Sequence, residues 1–432
     1  IHLQENTRDQ SLNLDEVAIS RLKEEQLCAK TQVCDPALME LGLEYSCAVC
    51  LYLLNSIGLD LSNPIDFDIS AFQPDIDKFQ YVPDSFLDQS ASLTIMFIQL
   101  DLEFMIKNQD KLFSLILCYS IFMGSKKLSS NPHLRAKLSQ AINYMVISPT
   151  EEDNSLFLTM ELLFENSKIL TQICPKSLIN LFVDIEFTGH ANDFQQKFTY
   201  RFHMYKILFF LWKLPQYVKR FNELSMDVEF TNDDTVPIFL KFINLLINDA
   251  TFLLDEALDK LHKINQLEQE IFHTNFRLIE DSVKKEKMEL LRQTRQLVET
   301  YNILSKDTIQ ALNLLTRDTP KPFLTSMMVD RIASMLNYFL RHLVGEKKRD
   351  LKVKDMNLLK FEPKQLVCII CQIFVNLSKY DGFCQAVVDD ERSFSLDLPE
   401  LAINILNLIQ PDPFLVINFQ KCKLTLAEIF KT

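Results

Sequence analysis

Glycine is nearly missing from this chain, with six residues out of 432. Mixed α/β enzymes spend glycine on tight strand-to-helix turns and on phosphate-cradling loops, so its scarcity argues against that class. An all-α fold needs little glycine beyond helix C-caps. No G-x-G-x-x-G, G-K-[ST], G-x-S-x-G or H-E-x-x-H occurs, which removes the dinucleotide, P-loop, serine-hydrolase and zincin signatures. The seven histidines stand singly, so spacing yields no nucleophile–base pair. The longest apolar stretch, LFSLILCYSIFMG at 112–124, is short of the ~20 residues that span a bilayer and reads as a buried helix. An excess of positive charge is missing too. Lys and Arg number 45 against 58 Asp and Glu, a formal net charge of −13. A general nucleic-acid grip works by displacing phosphate counterions, so none is expected.

What the chain has is apolar residues, 47% of the total, arranged at helical period. Its length exceeds the ~250–300 residues at which a single core stops growing, so it holds several domains or an array. In RIASMLNYFLRHLVG (331–345), Ile332, Leu336, Phe339 and Leu343 recur at helical spacing, and Met335 and Leu340 widen the stripe. Asp330 suits the start of that helix, Arg341 and His342 its last turn, and Gly345 its end. A second helix is expected to start near Asp234, Thr235 and Pro237 and to carry INLLINDATFLLDEAL (243–258). Its apolar residues nearly encircle the axis, which predicts an interior position. From Glu268 to Arg295 the chain is strongly charged, and Leu290, Leu297 and Leu304 lie seven apart. That predicts a long, partly exposed helix docking one narrow face.

An Asn between apolar neighbours recurs at 143, 180, 244, 313, 337, 376, 404 and 418. The intervals are irregular but often near the ~40–47 residues of armadillo and HEAT repeats. FVNLS (374–378) is the form most like an armadillo third helix. The predicted fold is therefore all-α, an elongated armadillo/HEAT-like helical solenoid. Its largest interruption is an extended acidic loop near residues 59–88, with seven Asp and with Pro64, Pro74 and Pro83. Phe67, Phe72, Phe79, Tyr81 and Phe86 are interleaved there, so the loop is expected to be pinned rather than free.

The ten cysteines read as reduced intracellular thiols in a chain too long to need disulfide staples. Cys47/Cys50 and Cys368/Cys371 are C-x-x-C pairs, each offering two of the four ligands of a structural zinc site. Their neighbours are apolar, and on a helix each pair shares one buried face, so packing is expected and no cofactor. Asp66/Asp68 and Asp75/Asp77 lack the glycines and further carboxylates of a calcium loop and read as solvated charge. Lys347, Lys348, Arg349, Lys352 and Lys354 are diluted by Glu346, Asp350 and Asp355. They read as a solvated connection or as a docking patch for an acidic partner. Asn244, Asn248, Thr251 and Asp255 fall at i, i+4, i+7 and i+11, one polar line along a helix. The line has no tuned base and no nucleophile, so catalysis is not expected of it. Two readings stay open: a ladder for an extended peptide, or side chains paired at the seam with neighbouring helices.

Several long blocks then agree, in order, with one family. They are NPHLRAKLSQAI (131–142), FTGHANDFQQKFTYRFHMYKILFFLW (187–212), FLKFINLLINDATFLLDEALDKLHKI (239–264) and MLNYFLRHLVGEKKRDLKVKDMNLLKFEPKQLV (335–367), with VVDDERSFS (387–395) beyond them. Over about residues 130 to 425 the chain resembles the core domain of the U-box ubiquitin conjugation (chain-elongation) factors. SMLNYFLRHLVG and LKVKD look closer to the animal A-type paralogue than to the B-type or the fungal protein. The resemblance implies a variable N-terminal helical region over 1–130 and an armadillo-like core over 131–432, in front of a C-terminal U-box.

In that family the U-box recruits the ubiquitin-conjugating enzyme and promotes transfer onto substrates that already carry ubiquitin, for proteasomal degradation. It does so without a covalent intermediate or zinc. The sequence ends at LTLAEIFKT without a U-box pattern, so no catalytic residue carries over and this stretch alone is expected to be inactive. The implied partners are the conjugating enzyme (through the U-box), ubiquitylated substrates, the hexameric AAA segregase and shuttle proteins with ubiquitin-like domains. No nucleic-acid or membrane partner and no cofactor is implied, and the expected setting is the cytoplasm, with the nucleus as a second location. Two rival readings are a non-enzymatic helical-repeat adaptor or transport scaffold, and a thioester-forming ubiquitin ligase.

Overall fold

A computed structural model of the chain describes residues 18–25, 27–59, 82–147, 155–187, 193–226, 236–272, 280–346, 351, 353–354, 356–409 and 411–431. Among the described residues every regular element is a helix. The chain forms two compact units, residues 1–177 and 178–432. That division follows packing, whereas the division expected near 130 follows sequence variability.

The first unit holds α1 (Pro36–Ser56), α2 (Asp84–Leu100), α3 (Leu102–Lys107), α4 (Leu112–Gly124), α5 (Pro132–Val146) and α6 (Ser155–Asn166). The packing division falls inside α7 (Lys168–Asp184). Pro36 and Pro132 open α1 and α5, where the missing N–H would have no helical partner anyway. Asp35 and Asn131 accept from the first free backbone N–H groups of those helices. The apolar run of α4 is buried between α1 and α5 apart from Phe113 and Ser114, which are half-buried, as its sequence predicts. Its one phenol, Tyr119, is satisfied inside the core by Ser90 Oγ at 2.8 Å and Thr94 Oγ1 at 3.0 Å. Gly124 ends α4 against Ser177, and a Cβ at that position would lie 2.6 Å from the Ser177 Cα. No larger residue fits there. On length and composition α1 could cross a membrane. It packs on α2 and α4 with Leu43, Cys50 and Leu54 fully buried, and a core helix passes the same test.

The second unit holds α8 (Asp193–Trp212), α9 (Pro215–Ser225), α10 (Ile238–Phe272), α11 (Asp281–Asp318) and α12 (Val329–Val344). After these come α13 (Pro363–Leu377), α14 (Asp381–Asp389), α15 (Leu398–Ile409) and α16 (Pro413–Ile429). α10 and α11 are antiparallel: Glu270 pairs with Lys287, Glu268 with Arg295, and Lys260 lies over the Tyr301 ring. α8 and α13 pack on α11, and α12 packs on α14 and α15. Helices stacked on successive neighbours around a shared core make this the all-α, helical-repeat class that the sequence predicts.

Three local expectations meet corrections. α11 buries Leu304 of its leucine heptad, but Leu290 and Leu297 are each 37% exposed. The buried stripe runs through Thr294, Val298, Tyr301, Ser305, Thr308, Leu312 and Leu315. Thr294 and Thr308 donate to carbonyls of their own helix, so these hydroxyls are buried without loss of a partner. α12 buries Ile332, Met335, Leu336, Phe339, Leu340 and Leu343 as predicted, but Asp330 lies in its first turn and Met328 at its N-cap. Gly345 ends α12 without a left-handed turn; it is small because a Cβ would stand 2.5 Å from the Arg341 carbonyl oxygen. Of the acidic loop, residues 59 and 82–88 are described: Leu59 is buried, and Asp84–Asp88 already belong to α2. Asp66, Asp68, Asp75 and Asp77 lie outside the described residues.

Candidate functional site

The polar line of α10 lies along an open edge of the second unit, so this helix is not apolar on all sides. Asn248, Thr251 and Asp255 are exposed, and Asn244 is half-buried with its Oδ1 among the buried oxygens that lack a hydrogen-bond partner. Across from them runs the solvent edge of α12. Arg331 Nη2 donates to Asn248 Oδ1, and the Tyr338 hydroxyl donates to Asp255 Oδ1 at 2.7 Å. Thr251 Oγ1 donates to its own helix at Ile247 O, 2.8 Å away. Two of the four side chains are therefore paired with the next helix, and three stand at its open lip.

That lip is one wall of a trough. A cavity of about 740 Å³ lies between Thr251 and Asp255 on α10, Arg331, Ser334 and Tyr338 on α12, and Arg392 and Ser393 after α14. A second cavity of about 610 Å³ continues along Arg341, His342 and Gly345 to Leu398. The two share Tyr338, Arg392 and Ser393, so they form one channel floored by α12. Burial, with Asp255 beside it, pushes the Tyr338 phenol up to about 12. It stays a hydrogen-bond donor at any physiological pH, with its ring centroid 4.3 Å from that of His342.

A second polar cluster was not legible as a site in the sequence. Asp249, next to Asn248, is 2% exposed and meets Arg201 Nη1 of α8. Arg201 Nη2 donates to Glu186 Oε2 at 2.7 Å, and its guanidinium lies 4.1 Å over the Phe182 ring. Lys197 Nζ stands 3.1 Å from Glu186 and 3.3 Å from Asp249. Burial pushes the Asp249 carboxyl up from its ordinary value, against the opposing pull of Arg201 and Lys197. Two cations and two anions close on one another, so the cluster ties α8 to α10. Its signal was an aspartate amid the buried Leu246, Ala250 and Leu253. A charge on such a face requires a partner.

On the far side of α8, Phe198, Phe202, Tyr301 and Leu304 line an apolar cavity of about 410 Å³. Burial there pushes the His203 imidazole down to about 4, so it is neutral at pH 7.

The cysteine pairs sit on α1 and α13. Cys50 and Cys371 are fully buried, and Cys47 and Cys368 are partly so. Burial pushes Cys47 and Cys384 up to about 11, Cys174 and Cys422 up to about 12, and Cys371 well above its ordinary value. Such thiols are poor nucleophiles because the thiolate is the reactive form. Among the described residues, no group of three or more His, Cys, Asp or Glu could hold a metal ion. Of the basic patch, Lys354 is described, and its backbone N–H donates to Glu268 Oε2 at 3.3 Å. Lys347, Lys348, Arg349 and Lys352 lie outside the described residues.

These features define a class: a helical-repeat scaffold whose second unit presents an open polar trough. The comparisons narrow it to a family. A family model described as ubiquitin elongating factor core matches residues 2–414, and the chain belongs to that family. The chain is 36% identical over 423 residues to ubiquitin conjugation factor E4 A of Rattus norvegicus, covering 95% of this chain and 39% of that protein. It is 30% identical over 356 residues to E4 ubiquitin-protein ligase UFD2 of Saccharomyces cerevisiae, covering 82% of this chain and 36% of that protein. Against the probable ubiquitin conjugation factor E4 of Arabidopsis thaliana the identity is 27% over 418 residues, 94% of this chain and 38% of that one. The chain thus spans about two-fifths of the length of these relatives. The match starts at residue 2, so it reaches into the N-terminal region where the resemblance alone was weak.

Proposed function

We propose that this chain is the scaffold core of a ubiquitin chain-elongation factor. It would hold ubiquitylated substrate and partners at set positions relative to a U-box that recruits the ubiquitin-conjugating enzyme. The whole protein would then act as a U-box-type ubiquitin transferase that assembles polyubiquitin for proteasomal degradation. The observation that carries this reading is the family match across 2–414, on a helical fold with an open polar trough. The hexameric AAA segregase and shuttle proteins with ubiquitin-like domains belong to the same proposal as further partners. A cytoplasmic setting, extending to the nucleus, belongs to it as well.

The test is reconstitution with activating enzyme, conjugating enzyme and a substrate that already bears ubiquitin. Full-length protein containing this region is expected to extend the chain. Residues 1–432 alone are expected to leave the rate of ubiquitin discharge from the charged conjugating enzyme unchanged. Discharge by residues 1–432 alone would overturn this division of labour. A reducible ubiquitin adduct on the chain would favour the thioester rival, against which the raised thiol pKa values of Cys47, Cys174, Cys371, Cys384 and Cys422 already argue.

A further inference from the structure

The described arginines of the second unit fall into two groups. Arg201, Arg220, Arg292, Arg295 and Arg317 each hold a carboxylate. Arg331, Arg341 and Arg392 hold none among the described residues, and all three line the trough over α12. Arg331 donates to the Asn248 side-chain oxygen, and Arg341 donates to the backbone oxygen of Arg392 at 2.9 Å. The Arg392 guanidinium makes no hydrogen bond or ion pair with a described residue. Carboxylates are close by, yet they are turned to other work. Asp255 takes the Tyr338 hydroxyl, and Asp390 Oδ2 accepts from Asn337 Nδ2 at 3.1 Å.

From this geometry we infer that the trough binds an extended polypeptide segment carrying isolated carboxylate side chains. Length and chemistry point the same way, because the three guanidiniums are the groups without a carboxylate among the described residues even though five carboxylates share the lining. Arg331 and Arg341 are ten residues apart on α12, a span of roughly 15 Å at ~1.5 Å per residue. An extended chain covers that span in about four to five residues, at ~3.3 Å each. Arg392 stands between them, beside Tyr338, in both cavities. The hydroxyls of Ser334 and Ser393 can donate and accept, and Thr251 Oγ1, whose proton goes to Ile247 O, can accept, which suits a peptide main chain. A guanidinium fork is matched to a carboxylate, which sets the side-chain preference. The acidic residues along the walls, such as Asp330 and Asp397, repel a continuous polyanion, so the carboxylates must be separated by neutral residues. This inference is independent of the ubiquitin reading, because a peptide of that chemistry would bind with or without a U-box.

The test pans random ten-residue phage-displayed peptides on the chain, with the triple variant R331S/R341S/R392S as counter-selection. Selected peptides are expected to carry Asp or Glu at two positions four or five apart. A synthetic peptide from that pool should lose affinity about tenfold or more with the variant, as removal of charge-assisted contacts implies. Its Glu→Gln or Asp→Asn counterpart should lose affinity similarly. All three arginines are exposed, so the melting temperature should not move. If it does, Arg392→Ser alone repeats the test, since that side chain makes no described bond. The inference fails if no peptide is enriched over the variant, or if the selected peptides lack acidic residues. It also fails if heparin, a polyanion, competes as well as the peptide does.

Discussion

Asp249 is 2% exposed and closes on Arg201 and Lys197; Asp255, on the same helix, is open to solvent and meets a single phenol. The next helix repeats the contrast at adjacent positions. Asn337 is fully buried and donates to Val387 O at 2.9 Å, whereas Tyr338 faces the trough. In both pairs the side that faces the core has a fixed partner and the side that faces the trough has a replaceable one. Polar residue type alone does not distinguish scaffold from binding surface here. What distinguishes them is whether water can take over when the partner leaves.

Removing the buried charge is the severest way to break that comparison. Asp249→Ala leaves Arg201 and Lys197 with Glu186 alone and is expected to lower stability by about 3–5 kcal/mol in urea denaturation. Asp255→Ala should stay within about 0.5 kcal/mol in the same assay; equal losses would erase the distinction. Asn337→Ala strands the Val387 carbonyl and is expected to lose about 1–3 kcal/mol.

Titration sharpens the comparison further. The unfolded His203 imidazole takes its proton near 6.5, the folded one near 4. Between those values the unfolded state binds more protons, so stability is full above about pH 6.5 and falls as acid is added through that window. His203→Gln should flatten this part of the stability–pH curve; an unchanged slope would place the titration elsewhere. The smallest effect belongs to Tyr338→Phe. It removes the same exposed bond as Asp255→Ala while keeping the ring, and should lower the melting temperature by less than the equivalent of about 0.5 kcal/mol.

Much of this was legible in the residues. The apolar stripe of α12 is strong and regular, and it predicted that helix almost residue by residue. The long blocks between 131 and 395 carried the family resemblance, and the match from residue 2 extends it. The line of Asn248, Thr251 and Asp255 was visible as spacing, but its exposure was not, because apolar residues nearly all round α10 mask the edge that opens to solvent beside α12. Asp249 was visible as a residue and invisible as a partner, since Arg201 and Glu186 come from distant parts of the chain. α11 misled for a different reason: its core face is built partly from Thr and Ser, which a search for leucines passes over.

The pair α10 and α11, 35 and 38 residues long, has a mechanical consequence. At ~1.5 Å per residue each is a beam of roughly 50–57 Å. One end is clamped, because α11 is buried on successive turns from Thr294 to Thr316, while Met288 near the other end is largely exposed. A beam held at one end is a lever. The turns of α11 before Thr294 overhang that clamp by roughly 20 Å at ~1.5 Å per residue, so a tilt of about 5° there would move the tip by roughly 2 Å.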